Sequence, residues 1–259
     1  MSCSDLFTVL NESGIPYVVL RKYEGLPDDP GDDIDIMIRS DSFDDCIDLC
    51  RQVGFEYWTR NIPKTVAGMV LAGIREPKKA VRIITRPTAV LPAFHRRHKH
   101  GTVNPRTGLR IVKLVNEETK LDLQNCSAYI SPNTGEHVRV DPRVGDMIFE
   151  TSQLYNGIWV PSPPHELGHI VPHCVFDKEG EFSEYYASRC DELSEIVLSD
   201  PEYRSQFEEV LSLVFPQNSQ LVYDRVANSE YQSIRSELQR GDDLIIDTDH
   251  ISGEPMTPI

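Results

Sequence analysis

The segment Ile34–Ile38 limits the fold of this chain more than any other part of its sequence. Isoleucines alternate there with Asp35 and Met37, which is the two-residue period of a β-strand whose two faces lie in different surroundings. Asp33 stands two residues before Asp35, so the same alternation places both carboxylates and Met37 on one face. We therefore expect a sheet that carries paired carboxylates on one of its faces.

Helix and strand patterns alternate around that segment in the first half of the chain. Apolar residues at helical spacing predict a helix over 4–13 and a second one over 42–53, with Ser42 as its cap. Further strands are predicted at 17–20, 55–59, 81–85, 110–115 and 120–123. We expect the last two to form an edge of the sheet and its neighbour.

The pattern changes after about residue 140, where helical spacing dominates. Helices are predicted at 143–154, 164–175, 183–198, 201–213 and 223–239. The expected fold class is α/β (α+β), with a small mixed β-sheet flanked by helices over 1–140 and a helical domain over 141–240. An acidic segment over 241–259 is expected to be a flexible tail.

The composition of the chain limits which cellular compartment and which classes of partner are expected. No apolar stretch approaches the roughly 20 residues of a membrane span, so no membrane partner is expected. The six cysteines include no Cys-x-x-Cys pair, which favours reduced thiols in a cytoplasmic protein. The net charge of −15 makes long nucleic acid an unlikely partner, because phosphates would be repelled. The basic run at 95–100 is the local exception, and a solvated loop is its simpler interpretation.

The carboxylates predict a metal site. Two carboxylates on one strand face raise each other's pKa unless a cation neutralises them, and Mg²⁺ (or Mn²⁺) is the usual one. Asp122 lies between two leucines on the strand predicted at 120–123 and is the candidate for a third carboxylate. Three such groups allow two metal ions to bracket the oxygens of a phosphoryl or nucleotidyl transfer. A solvated strand face in an acidic chain is the simpler alternative.

These residues also resemble a known superfamily. Tyr-Val-Val-Leu-Arg at 17–21, Gly-Leu-Pro at 25–27 and Asp-Ile-Asp-Ile-Met-Ile at 33–38 resemble polymerase-β-type nucleotidyltransferases. The resemblance covers roughly residues 1–130 and is closest to uncharacterised prokaryotic branches, haloarchaeal ones included, some of which accompany polysaccharide genes.

That resemblance implies metal-dependent transfer of a nucleoside monophosphate from a nucleoside triphosphate such as ATP to a hydroxyl acceptor. Asp33, Asp35 and Asp122 match the superfamily's metal-binding and catalytic positions. Where the superfamily commonly has Gly-Ser, this chain has Arg21 and Lys22, which are expected to hold phosphates electrostatically. Lys178, in the helical half, is a further candidate for triphosphate binding, and a solvated surface lysine is the alternative.

Two other functions stay open at the level of sequence. The absence of Gly-Ser allows a non-catalytic nucleotide-binding or regulatory protein on the same fold. His165, Glu166 and His169 fit His-Glu-x-x-His, the pattern of zinc hydrolases. Prolines directly before His165 and soon after His169, together with the lack of a third ligand at an accepted spacing, argue against zinc.

Overall fold

The computed structural model describes residues 3–31, 33–58, 102–103, 108–130, 137–238 and 246–247. The strand predicted at 81–85, the basic run at 95–100 and most of the tail predicted at 241–259 lie outside these residues. Within them, the expectation of a mixed α/β chain with a mixed sheet is confirmed. None of the six cysteines, all of which lie in the described residues, forms a disulfide. In the part of the chain that the structure describes, no helix has the length and apolar character needed to cross a lipid bilayer.

Within its described residues, the first half contains two helices and a sheet. Helix α1 spans Cys3–Ser13, and α2 spans Phe43–Gln52 after a 3₁₀ turn at Ser40–Ser42. Ser42 precedes α2 but does not cap it through its side chain, because its hydroxyl donates to the neighbouring carboxylate of Asp41. The strands are β1 (Tyr17–Val19), β2 (Ile34–Ile38), β3 (Glu56–Tyr57), β4 (Thr102–Val103), β5 (Arg110–Val115) and β6 (Lys120–Gln124).

These six strands form one mixed sheet. Its order is β1-β2-β6-β5-β3, and β4 also pairs with β5. Strands β2 and β6 are parallel, whereas every other pairing in this sheet is antiparallel. The expectation that β5 and β6 lie at a sheet edge is therefore wrong, because β6 is central and the short strands β3 and β4 cover the outer side of β5. That central position sets β6 directly beside β2.

The two faces of the sheet belong to different cores. Ile34, Ile36 and Ile38 of β2 pack with α1 and α2 in one apolar cluster. Val18 and Met37, which point to the other face, pack instead with the helices of the second half. The period-two alternation of β2 thus places its isoleucines towards α1 and α2 and its other side chains towards the helical region.

Six helices form most of the second half. They are α3 (Arg143–Glu150), α4 (Pro163–Pro172), α5 (Glu184–Ser199), α6 (Pro201–Val214), α7 (Ser219–Ala227) and α8 (Tyr231–Leu238). Helix α4 is their central member, buried from Pro164 to Pro172, and a π-helical turn at His173–Asp177 continues it. Gly168 permits the close approach of α6, because a Cβ there would lie 2.5 Å from Cγ1 of Val210.

Two of the helix predictions are wrong in their extent. The helix predicted at 143–154 ends at Glu150, and a hairpin of β9 (Gln153–Tyr155) and β10 (Ile158–Val160) follows it. Asn156 and Gly157 join these strands with φ of 50° and 80°, the left-handed backbone that an Asn-Gly hairpin turn requires. The helix predicted at 223–239 is two helices, and Ser229, with φ of 56°, lies between them.

A second sheet has three strands. Its order is β11-β8-β7, formed by Ile246–Asp247, His137–Arg139 and Ala128–Ile130, and both pairings are antiparallel. Its strand β11 lies within the segment that the sequence predicts as a flexible tail.

Candidate functional site

Charged side chains from three neighbouring strands lie in register on one face of the main sheet. Asp35 of β2 pairs with Asp122 of β6, which in turn pairs with Lys113 of β5. The flanking residues of β6, Leu121 and Leu123, belong to the core under α1 and α2, so Asp122 points to the opposite face. That face lies towards the helical region, which means that the two carboxylates meet between the two halves of the chain.

Asp33 completes the group that the sequence predicts. It lies just before β2, is partly exposed, and stands on the same side as Asp35 by the alternation of the strand. Burial raises the pKa of Asp35, the guanidinium of Arg21 lowers it, and the carboxylates of Asp122 and Asp33 raise it further; the net effect is upward. The three carboxylates therefore form one electrostatic group that favours an additional cation.

Arg21 is the cation nearest to Asp35. It follows β1, and its Nη2 lies 2.9 Å from Oδ2 of Asp35, with the two side chains 12% and 13% exposed. Burial is the largest single influence on the pKa of Arg21 and lowers it, but Asp35 and the other acidic groups nearby together raise it by more, so the net shift is upward. The sequence predicts Arg21 as a phosphate ligand, yet here it is the ion-pair partner of Asp35.

Arg21 is also held by the helical region. Its Nη1 donates to Nε2 of His169 over 3.0 Å, so the proton of that neutral imidazole lies on Nδ1, which donates to the hydroxyl of Tyr129 over 3.3 Å. Burial lowers the pKa of His169 well below its ordinary value, and Arg21 lowers it further. Burial also raises the pKa of Tyr186 to about 12, while the charge of Arg21 and a hydrogen bond to it act in the opposite direction. Arg21 is thus fixed between the sheet and helices α4 and α5.

Lys113 pairs with Asp122 in a more open position. The ammonium group contacts Oδ2 of Asp122, and the two side chains are 30% and 19% exposed. Among the described residues, Asp122 is the one carboxylate with which Lys113 forms an ion pair. Lys113 is not among the site residues predicted from the sequence, although its place between Val112 and Leu114 in an alternating strand puts it on the carboxylate face.

The two other predicted phosphate ligands lie at the surface. Lys22 is exposed and has φ of 55°, and its Nζ lies 6.0 Å and 5.9 Å from the ring centroids of Tyr185 and Tyr186. Lys178 is exposed as well and follows the π-helical turn, where its charge helps to lower the pKa of His173 after burial and Arg21. Because Tyr186 bonds to Arg21, Lys22 lies at the margin of the carboxylate site.

The donor chemistry of this site fits one divalent cation. Within the described ranges, no group of three or more His, Cys, Asp or Glu side chains is placed to hold a metal by itself. Mg²⁺ does not need such a cage, since it commonly takes one or two carboxylates and completes its shell with water and phosphate oxygens. The ion pairs engage Oδ2 of Asp35 and Oδ2 of Asp122. Their Oδ1 atoms and the carboxylate of Asp33 are the oxygens that suit an ion.

The His-Glu-x-x-His residues of α4 are bound to other protein groups. Glu166 accepts from Tyr23 over 2.5 Å and from Arg189 over 2.8 Å, and its side chain is 1% exposed. Nδ1 of His165 lies 2.8 Å from the hydroxyl of Ser162, while no described residue offers a hydrogen-bond partner to its buried Nε2. His169 is the acceptor for Arg21. This helix therefore connects the two halves of the chain through hydrogen bonds.

Comparison of the chain with protein-family models, with curated proteins and with solved structures finds no match in any of the three. The geometry of the chain itself is therefore the basis for its proposed function.

Proposed function

We propose that this protein is a metal-dependent nucleotidyltransferase, which moves a nucleoside monophosphate from a nucleoside triphosphate to a hydroxyl acceptor. The observation that carries the proposal is the register of Asp35 opposite Asp122 on parallel neighbouring strands, with Asp33 on the same face. Three carboxylates facing a helical region on a small mixed sheet support a nucleotidyltransferase-type fold. Mg²⁺ or Mn²⁺ bound there would neutralise the phosphates and hold them for in-line attack.

The residues of the chain have distinct parts in this proposal. One or two carboxylates of the group formed by Asp33, Asp35 and Asp122 would hold the ion, and water and phosphate oxygens would complete its shell. Asp122, the more exposed of the two in-register carboxylates, would also accept the proton of the acceptor hydroxyl. Lys22 and Lys178 would attract the triphosphate from the margin of the site. Transfer of this type depends on positioning and charge neutralisation.

The substrate class follows from charge and size. An acidic chain repels long nucleic acid, so the proposed acceptor is a glycan precursor or another small hydroxyl compound. ATP and the other ribonucleoside triphosphates are the donors to test, and a cytoplasmic location would supply them. The six free thiols are consistent with such a compartment.

Calorimetry with the four ribonucleoside triphosphates tests this proposal. We expect at least one triphosphate to bind when Mg²⁺ is present and not to bind when a chelator removes the metal. The same triphosphate should bind at least tenfold more weakly to Asp122→Asn. Asp48→Asn is the matched control, because that carboxylate is 68% exposed and lies on α2. Absence of binding to any triphosphate, or binding indifferent to both chelator and Asp122→Asn, would contradict the proposal.

One observation favours a second candidate, a non-catalytic nucleotide-binding protein on the same fold. Arg21 and Lys113 form ion pairs with Asp35 and Asp122, so the site contains two cations that can attract phosphates even without metal. Release of pyrophosphate in the presence of hydroxyl acceptors distinguishes the two. Triphosphate that binds independently of metal and stays intact with every acceptor class would favour the non-catalytic candidate.

A further inference from the structure

The two cations of the carboxylate site are held in different ways. Arg21 bridges Asp35 to His169, and its side chain is 12% exposed. Lys113 contacts Asp122 from a neighbouring strand, and its side chain is 30% exposed. Both cations come from the chain itself, and each contacts the Oδ2 atom of one carboxylate.

We propose that Lys113 takes the place of a second metal ion at Asp122 and thereby limits the site to a single divalent cation. This inference rests on the proposed metal-dependent function. Asp122 stands in register with Asp35 on one side and with Lys113 on the other. Two carboxylates and one ammonium group therefore lie side by side in one row across strands β2, β6 and β5. An ammonium group at the end of that row supplies fixed positive charge at the position of the third carboxylate.

Charge balance supports a single ion. Asp33, Asp35 and Asp122 are opposed by Arg21 and Lys113, so two of the three negative charges are already neutralised within the chain. One divalent ion would then be enough to receive a triphosphate. A second would have to bind beside an ammonium group in a partly buried site, where like charges repel strongly. Removal of the Lys113 charge is therefore expected to open a second metal position at Asp122.

Arg21 does not have this part, because its surroundings fix it. It is bonded to Asp35 and His169, and its guanidinium is largely buried. Its removal would therefore leave the carboxylate of Asp35 buried without an ion-pair partner. Lys113 has a flexible side chain that already reaches solvent, so its substitution changes the charge of the site with little disturbance of the core. Lys113 is therefore the residue at which metal number is set.

The experiment counts bound Mn²⁺ by electron paramagnetic resonance, with a non-hydrolysable triphosphate present. We expect one tightly bound ion per chain in the unmodified protein and two in Lys113→Met, with the second ion at least tenfold tighter than in the unmodified protein. Lys113→Arg keeps the charge and should stay at one ion. Lys120→Met is the matched control, since Lys120 is an exposed lysine at the start of the same strand as Asp122.

Each outcome has a definite meaning. Two tight ions in the unmodified protein, or one ion of unchanged affinity in Lys113→Met, would overturn the inference about Lys113 and leave the metal-dependent function standing. No Mn²⁺ in any variant, with or without triphosphate, would overturn both. A thermal unfolding curve for each variant confirms that the chain is folded, and Lys113→Gln is the substitute if Lys113→Met does not fold.

Discussion

Strand β2 and helix α4 each carry a sequence pattern that is typical of metal sites, and their surroundings differ. The carboxylates at Asp35 and Asp122 have side chains that are 13% and 19% exposed, at the junction between the sheet and the helical region. Glu166 of α4 is 1% exposed and is bonded to Tyr23 and Arg189. The same chemical groups are therefore accessible to a ligand in one place and committed to protein partners in the other.

The ion pairs and the burial of the carboxylates explain this difference. One arginine reaches each pattern: Arg21 bonds to Asp35 and Arg189 bonds to Glu166. On the sheet, Asp122 has its own cation in Lys113, and Asp33 adds a third carboxylate to the group. On α4, Arg189 also reaches the exposed carboxylates of Glu24 and Glu192. Glu166 is the buried one of the three, and it accepts from both Arg189 and Tyr23. Carboxylates that solvent reaches can take a bound cation, whereas a buried carboxylate bonded to a cation stabilises a contact between elements.

The first prediction removes the cation that is bonded to the buried Glu166 on α4. Arg189→Met leaves the carboxylate of Glu166 buried without its cation, and removal of one partner from a buried pair costs about 3–5 kcal/mol. We expect a loss of that size in the free energy of unfolding, measured by urea denaturation. Burial already raises the pKa of Glu166, so part of the loss should be recovered at acid pH, where Glu166 takes up a proton.

Arg225→Met is the control for that variant. Arg225 also contacts two carboxylates, those of Glu230 and Glu237, but it lies at the protein surface. Its loss should therefore be much smaller than that of Arg189→Met. Equal losses in the two variants would show that the pair at Glu166 has no special role in stability.

The sequence predicts the carboxylate face well for a physical reason. A strand fixes the direction of its side chains by a period of two, so Asp33 and Asp35 are assigned to one face without tertiary information. The position of Asp122 beside Asp35 depends on which strands become neighbours, and the parallel pairing of β2 with β6 is a long-range event that no local pattern encodes. The place of Asp122 between two leucines on a strand makes it a candidate for the third carboxylate, and the resemblance to a superfamily gives it a matching position.

The partners of the site were harder to predict than its carboxylates. Arg21 was identified as a residue of interest, but its bond to Asp35 depends on the turn after β1 and on His169 of α4. The predicted helix ends are wrong where a local turn interrupts residues that have helical spacing. The Asn-Gly pair at 156–157 is a strong hairpin pattern, and attention to it would have ended the third helix before β9.

The second prediction concerns the pH dependence of stability that the buried His165 of α4 causes. Burial lowers the pKa of His165 to about 4, from an ordinary value of 6.5, so the folded chain keeps this imidazole neutral. Below pH 6.5 the unfolded chain binds a proton that the folded chain does not, and stability falls as the pH falls towards 4. One such proton changes the free energy of unfolding by about 1.4 kcal/mol per pH unit.

His165→Gln removes this titration and keeps a polar side chain. Between pH 6.5 and about 4, the slope of unfolding free energy against pH should be smaller in the variant by up to that amount. Urea denaturation at several pH values measures both slopes. Identical slopes would mean that His165 is not held neutral by burial.

The third prediction is the smallest effect, because the expected change is none. A zinc ion held by the two histidines of α4 would have to take Nε2 of His169 from the guanidinium of Arg21, which donates to it. Glu166, the general base of that pattern, is already bonded to Arg189 and Tyr23. We therefore expect far less than one zinc per chain by elemental analysis, and a midpoint of thermal unfolding that chelator does not change. Stoichiometric zinc that disappears in His169→Ala would contradict this and would identify α4 as a metal-binding helix. Zinc retained in His169→Ala would place the ion elsewhere in the chain, and α4 would still be the buried connection between the two halves.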